Sequence, residues 1–144
     1  MAVLNRLTIL FLLAIVSSIQ ADFQLKSKPV YIDTQTFLEL KSTEVTESGE
    51  VLNHYICTAG KNKTESIACT SSSSNSWKTE QNLQLTDSCS ARKLTYVEIH
   101  IIVSSTQNVA CSISSGQVEY TQVELTVNIW GTHTLNYTAL FYEN

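Results

Sequence analysis

The sequence predicts an all-β protein, a small antiparallel β-sandwich of Ig-like or jelly-roll type with about eight strands. Apolar and polar residues alternate along several segments of the C-terminal half, which is the pattern of strands buried on one face. No segment beyond the N-terminal leader keeps the i, i+3, i+4, i+7 spacing of an amphipathic helix. Turn-forming residues separate the alternating segments at short intervals. A closed barrel built from the same strands is the alternative architecture.

Residues 1–21 have the three parts of a secretory signal peptide. Arg6 precedes an apolar run at residues 7–16, and a polar stretch follows it and ends at Ala21. The apolar run is too short to cross a bilayer comfortably, since a spanning helix needs about 20 apolar residues. We therefore expect residues 22–144 to form a single secreted, extracellular domain without membrane insertion.

Four strands are predicted in the N-terminal half, at residues 23–32, 36–45, 51–58 and 66–70. Gly49 can supply the positive backbone angle that a hairpin turn between the second and third of these strands needs. The polar segment 59–63 is predicted to be a second hairpin turn, which would pair the third strand with the fourth.

Residues 70–76, TSSSSNS, form the one low-complexity segment of the chain. We expect a flexible connector there, with an O-glycosylated or recognition loop as the functional alternative. The segment that follows, residues 77–85, fits either a strand or a short helix.

The C-terminal half alternates more clearly and predicts strands at residues 94–103, 109–114, 118–129 and 135–141. Ser115 and Gly116 are predicted to form a two-residue turn, and residues 130–133 a second turn. The positions expected to face the core are Val97, Ile99, Ile101, Val103, Val123, Leu125, Val127, Ile129, Leu135, Tyr137, Ala139 and Phe141.

The four cysteines, at positions 57, 69, 89 and 111, predict two disulfides, because an even number in an exported chain favours pairing. Three pairings are possible. The turn predicted at residues 59–63 favours Cys57 with Cys69, which leaves Cys89 with Cys111. Zinc binding is the competing interpretation, but the sequence has no Cys-x-x-Cys unit and only His54 lies near a cysteine. We expect no metal and no cofactor.

Two sequons follow the leader, at Asn62-Lys63-Thr64 and Asn136-Tyr137-Thr138. Asn62 lies in a predicted turn, where a glycan has room. Asn136 lies in a predicted strand, so a glycan there requires an outward-facing position near the edge of a sheet. Both asparagines are predicted glycosylation sites.

The charge and the motifs exclude several functions. The net charge of −4 and the lack of a Lys/Arg cluster make nucleic acid and anionic membranes poor partners. The sequence has no His-Glu-x-x-His unit, no Gly-x-Ser-x-Gly elbow and no Gly-rich phosphate loop, so we expect that the protein is not an enzyme. His54 and His100 are interpreted as strand residues at the sheet surface.

The leading functional prediction is a recognition module that binds an extracellular protein or glycan through loops at one end of the sandwich. Trp77, Trp130 and His133 are the candidate contact residues, since aromatic side chains are enriched among interface anchors. A carrier of a small apolar ligand is the alternative, and a secreted hydrolase is the weaker one. The identity of the partner and the oligomeric state stay open.

If residues 1–21 are a signal peptide, the protein secreted from eukaryotic cells should begin at Asp22 and contain no thiol that can be alkylated. The mass of the intact, deglycosylated chain tests both points, because two disulfides remove four hydrogens from the reduced mass. A retained leader would contradict the export prediction, and two free thiols would contradict the disulfide prediction.

Overall fold

A computed structural model of the chain describes residues 36–104 and 108–144. The predicted signal peptide and the strand predicted at residues 23–32 lie outside the described residues. Six antiparallel strands form one sheet. They are β1 (Thr36–Val45), β2 (Val51–Gly60), β3 (Ser66–Ser90), β4 (Leu94–Val103), β5 (Asn108–Gly116) and β6 (Gln122–Glu143).

The strand order is β1-β2-β4-β6-β3, and β5 pairs with β6 outside this path. Strand β6 organises the sheet, because β3 accompanies it over almost its whole length on one side. On the other side, β5 pairs with residues 123–130 of β6, and β4 pairs with residues 135–143. The all-β antiparallel prediction is confirmed.

Strand β3 reverses its direction in the middle. Cys69 and Cys89 are separated by 20 positions, which would span about 65 Å in a straight strand. Their Cα atoms are only 5.9 Å apart. The reversal lies at residues 76–81, where the pairing register of β3 with β6 shifts. Strand β6 bends at the same level, beside Gly131 with φ +70°, so two halves of one sheet face each other.

Two disulfides connect these halves, and the prediction of two disulfides is confirmed. Cys57 of β2 is bonded to Cys111 of β5, and Cys69 is bonded to Cys89 within β3. The favoured pairing, Cys57 with Cys69 and Cys89 with Cys111, is therefore wrong. Its premise fails because β2 pairs with β1 and β4 and not with β3. Residues 59 and 60 thus complete β2, and residues 61–65 cross over to a distant strand, so the predicted hairpin turn is wrong.

The hydrophobic core lies between the facing halves. All of the positions that the C-terminal alternation predicted to face inward are buried. The residues with 0% exposure include Val97, Ile99, Ile101, Val103, Val123, Leu125, Val127 and Ile129. Since each buried side chain of this size contributes roughly 1.5–3 kcal/mol, the two strands β4 and β6 supply much of the stability.

Several predicted boundaries match the structure. The predicted strand at residues 36–45 is β1, the one at 94–103 is β4, and the one at 51–58 is two residues shorter than β2. The turn around Gly49 is confirmed, with φ +84° at this residue. The Thr46 amide donates to the Glu50 carbonyl at 2.8 Å and closes the turn.

Other predicted boundaries are wrong, chiefly because two long strands were read as shorter pieces. The sequence predicts separate strands at residues 118–129 and 135–141. The structure places residues 122–129 and 135–141 in one strand, β6. This strand continues through the turn predicted at residues 130–133. Residues 70–76 are not a flexible connector, because they pair with β6 as part of β3. Residues 77–85 also belong to β3. The chain between β5 and β6 turns at residues 117–121, after the predicted Ser115–Gly116 turn.

Seven of the eight predicted strands fall on the described residues, where the structure has six strands, and all six share one sheet. The finer assignment to an Ig-like or jelly-roll type is not confirmed. Backbone hydrogen bonding explains the difference for the serine-rich segment, because a strand forms its ladder through main-chain groups whatever its side chains.

Replacing Gly60 with alanine should lower the free energy of unfolding by about 2–5 kcal/mol. Gly60 has φ +92°, and an added Cβ would lie 2.4 Å from the Thr95 carbonyl oxygen. A left-handed backbone angle costs an L-residue about 1–2 kcal/mol, and overpacking adds about 1–3 kcal/mol. Urea unfolding monitored by circular dichroism measures the loss.

Gly49→Ala is the matched control. Gly49 has a similar φ of +84°, but nothing lies within 4 Å of an added Cβ. This variant should therefore lose only about 1–2 kcal/mol. Equal losses in the two variants would contradict the close approach of Gly60 to the strand that contains Thr95.

Candidate functional site

The folded sheet has two ends, which differ in what they display. We call the end where β3 and β6 bend the bend end. The turn at residues 46–50 lies there, because Thr134 donates to the Glu50 carboxylate at 2.9 Å. Ser104 lies there too, and its Oγ accepts from the His133 and Thr134 amides at 2.9 Å each. We call the opposite end, with the connections at residues 61–65, 91–93 and 117–121, the loop end.

The connection between β5 and β6 carries the one non-glycine residue with positive φ among those described. Glu119 has φ +76°, and such a conformation is uncommon outside glycine. Its amide donates to the Leu94 carbonyl at 2.6 Å, and its carboxylate lies 3.1 Å from Lys93 Nζ. The next side chain, Tyr120, is 56% exposed. An exposed aromatic ring thus follows directly after the residue with the unusual backbone angle.

The connections of the loop end also bond to one another. The Leu94 amide donates to the Tyr120 carbonyl at 2.8 Å, and the Ala91 amide donates to the Thr121 carbonyl at 2.9 Å. Thr64 Oγ1 donates to the Glu143 carbonyl at 2.7 Å. The first two bonds join the connections at residues 91–93 and 117–121, and the third ties the connection at residues 61–65 to the end of β6.

A cleft of about 280 Å³ opens on this surface. Its wall includes Phe37 of β1, Lys61 and Asn62 of the first connection, and Val118 and Glu119 of the third. Phe37 is 58% exposed. The cleft therefore combines an exposed aromatic ring with a cationic, an amide and an acidic side chain.

The predicted contact residues Trp77, Trp130 and His133 lie at the bend end and within strands, not in loops. Trp77 is half-buried and packs against the core. Trp130 is 38% exposed. His133 is half-buried, with its amide donating to Ser104. The fold brings the three residues to one region, and a binding site at the bend end is the alternative to one at the loop end.

Both sequons are accessible. Asn62 lies exposed in the connection at residues 61–65, as predicted. Asn136 is exposed in β6, opposite Ser74 of β3 and Ile102 of β4. It faces outward as a glycan requires, but in the interior of the sheet and not near an edge. Glycosylation at either site stays a prediction.

A chain of polar contacts crosses the outer face of the sheet half that contains β2 and β4. His54 Nε2 lies 3.2 Å from His100 Nδ1, and His100 Nε2 lies 2.7 Å from Glu98 Oε1. Lys63 Nζ donates to Glu98 Oε2 at 2.7 Å and lies 5.0 Å from the centre of the Tyr142 ring. Sequence reasoning placed both histidines on a sheet surface but missed their contact, because it did not pair β2 with β4.

The charged groups in this series of polar contacts stabilise one another. Partial burial raises the pKa of Glu98, but hydrogen bonds from Lys63 and His100 outweigh burial and leave this pKa below its ordinary value. The hydrogen bond to Glu98 raises the pKa of Lys63 against a smaller effect of burial. Glu98 is therefore a carboxylate and Lys63 an ammonium group at neutral pH.

A second polar cluster links the two halves of β3. Ser71 donates to Asp87 Oδ1 at 2.5 Å, and Tyr137 donates to Asp87 Oδ2. Burial raises the pKa of Tyr137 well above its ordinary value, and the Asp87 carboxylate raises it further. The phenol thus stays protonated and serves as a donor between the halves.

Among residues 36–104 and 108–144, no three His, Cys, Asp or Glu side chains form a cluster that could hold a metal ion. Within the same ranges, no helix has the length and apolar character needed to cross a membrane. Comparison of the chain with protein-family models, with curated proteins and with solved structures found no match.

Glu98→Gln should lower the free energy of unfolding by about 1–2 kcal/mol at neutral pH, because it replaces charge-assisted hydrogen bonds by weaker ones. The fold lowers the pKa of Glu98, so the stabilisation is present above the ordinary value of 4.5 and is lost as the pH falls through the lowered pKa. The difference between the two proteins should therefore shrink in acid. Urea unfolding at a series of pH values between about 7 and 3 measures it.

Glu39→Gln is the control, because the Glu39 side chain is 66% exposed and pairs with Lys41, two positions away. Exposed pairs of this kind contribute about 0–1 kcal/mol. A pH dependence that is the same in Glu98→Gln as in the unmodified protein would contradict the assigned role of Glu98.

Proposed function

We propose that this protein is a secreted recognition module that binds an extracellular protein or glycan through its loop end. The observation that carries this proposal is the pair Glu119 and Tyr120. Glu119 keeps a strained backbone angle, and strain of this kind concentrates at functional sites because the surroundings must enforce it. Here the enforced conformation presents the exposed ring of Tyr120.

The rigidity of the loop end supports the proposal. Backbone hydrogen bonds fix Tyr120 and Thr121 to the connection that precedes β4, and the Asn144 amide donates to the Lys93 carbonyl at 3.1 Å. Loops that are already ordered lose little conformational entropy when a partner binds. The ordering of loops would therefore offset little of the free energy gained from contacts with a partner.

The chemistry of the loop end fits a macromolecular partner. Phe37 and Tyr120 are both more than half exposed, and large aromatic side chains are common anchors of interfaces. Lys61 and Glu119 line the cleft beside Phe37, and Lys93 forms an ion pair with Glu119. Aromatic anchors within a polar rim are the usual composition of a recognition surface.

The proposal includes the finer architecture and the export of the chain. We interpret the two facing halves of the sheet as a β-sandwich, since a buried core lies between them and both disulfides cross it. Disulfides are typical of oxidising compartments, which agrees with the predicted signal peptide. Glycans at Asn62 and Asn136 belong to the same proposal.

The recognition proposal is preferred to the carrier alternative because the inward side chains of β4 and β6 fill the space between the halves. The cleft at the loop end lies at the surface and has about 280 Å³, slightly below the usual range of about 300–1,000 Å³ for ligand pockets. The proposal assigns no catalytic residue.

The test is a screen of the secreted protein against an array of glycans and an array of extracellular proteins. Any partner found with the unmodified protein should bind Tyr120→Ala at least tenfold more weakly, since loss of an aromatic anchor typically costs about 2 kcal/mol. Trp130→Ala, at the bend end, is the matched aromatic control and should bind as the unmodified protein does.

The reverse result, loss of binding with Trp130→Ala alone, would move the site to the bend end and overturn the assignment to the loop end. The absence of any partner on either array would count against the recognition function itself.

A further inference from the structure

His54 of β2 and His100 of β4 meet on the outer face of the sheet, and we call them the histidine pair. We propose that the histidine pair binds one divalent transition-metal ion, copper(II) or zinc(II), between His54 Nε2 and His100 Nδ1. This inference does not rest on the proposed recognition function.

The distance between the two nitrogens suits an ion shared by both. His54 Nε2 and His100 Nδ1 are 3.2 Å apart, and their ring centres are 5.4 Å apart with the planes tilted by 32°. Two zinc–nitrogen bonds of about 2.0–2.1 Å at the tetrahedral angle hold their nitrogens about 3.3 Å apart. The separation of the two nitrogens therefore matches that of two ligands on one ion, and the ion would displace the proton that His54 Nε2 and His100 Nδ1 now share.

Glu98 prepares His100 to act as a ligand. The Glu98 carboxylate can only accept, so His100 Nε2, 2.7 Å away, carries the proton of the neutral ring. The lone pair is then on His100 Nδ1, directed toward His54. A carboxylate that holds the far nitrogen of a ligating histidine is the usual second layer of histidine metal sites.

Glu98 is itself fixed in place. Its other oxygen accepts from Lys63 at 2.7 Å, and its side chain is only 15% exposed. Lys63 lies over the rings of Tyr96 and Tyr142, 6.0 and 5.0 Å from their centres. The orientation of the His100 ring therefore depends on a supported carboxylate and not on a mobile surface side chain.

The donor atoms select the class of ion. Imidazole nitrogen suits zinc and copper, whereas magnesium and calcium prefer oxygen ligands. In the described ranges no third His, Cys, Asp or Glu completes a cluster with the pair. Water or an added ligand would therefore fill the remaining positions, which makes the ion exchangeable and open to a further donor.

The experiment titrates the secreted full chain with copper(II) and, separately, with zinc(II), and follows binding by calorimetry. One ion should bind per chain, and affinity should fall as the pH is lowered because protons compete for the imidazole nitrogens. His54→Gln and His100→Gln should each weaken binding at least tenfold. His133→Gln is the matched control and should bind as the unmodified protein does.

Glu98→Gln separates positioning from ligation. It leaves both histidines in place and should weaken binding by about 10–100-fold, the range found when a second-layer partner is lost. Electron paramagnetic resonance of the copper(II) complex should show coupling to two imidazole nitrogens in the unmodified protein and in Glu98→Gln. One coupling should remain after either histidine is replaced.

Two results would overturn the proposal. The first is an unchanged affinity in both His54→Gln and His100→Gln, which would place any bound ion elsewhere on the chain. The second uses the unmodified protein and does not depend on the folding of a variant: zinc should shift the nuclear magnetic resonance signals of the two imidazole rings. Unshifted signals at a stoichiometric excess of zinc would exclude the site.

Discussion

The reversal of β3 and the matching bend of β6 are the constraint on which the rest of the structure depends. Each strand passes from one half of the sheet to the other, so the same two strands belong to both halves. Without the reversal, the inward faces of β4 and of the first half of β6 would have nothing to pack against. The core of this protein is thus created by the bending of two strands and not by the docking of separate sheets.

The two disulfides hold this arrangement at different places. Cys69–Cys89 joins the halves of β3, and Cys57–Cys111 joins β2 to β5, which are not neighbours in the sheet. In the chain-entropy picture, loops of 20 and 54 residues stabilise the fold by about 3 and 4 kcal/mol. These amounts are large for a small domain whose net stability is about 5–15 kcal/mol.

The reversal of β3 also determines where several polar side chains of this strand lie. Asp87, Ser71 and Tyr137 form their cluster only because the halves of β3 approach each other. The serine-rich part of β3 lies at an edge of the sheet, where polar side chains protect the unpaired side of a strand from association. The exposed residues of this segment thus protect the edge of the sheet, and its Ser71 bonds to Asp87 between the two halves of β3.

One segment contributes side chains to both the loop end and the outer face. Residues 61–65 contribute Lys61 and Asn62 to the cleft, whereas Lys63 reaches back to Glu98 on the outer face. Lys63 therefore anchors the connection that forms one wall of the cleft. The two proposed sites use different side chains, but they share this support.

The sequence by itself determined the all-β class, the inward positions of β4 and β6, the bounds of β1 and β4, and the presence of two disulfides. These features are local, because a period of two along a strand and an even number of cysteines can be read without knowing which strands are neighbours. The tertiary structure decided what depends on neighbours, namely the pairing of Cys57 with Cys111, the meeting of His54 with His100, and the place of Tyr120. It also decided that residues 130–133 continue a strand, since Trp-Gly-Thr-His resembles a turn in sequence whereas Gly131 serves here as the point where a long strand bends. The physical reason is the same in each case: pairing and bending are set by contacts between segments far apart in the chain, and no local pattern records them.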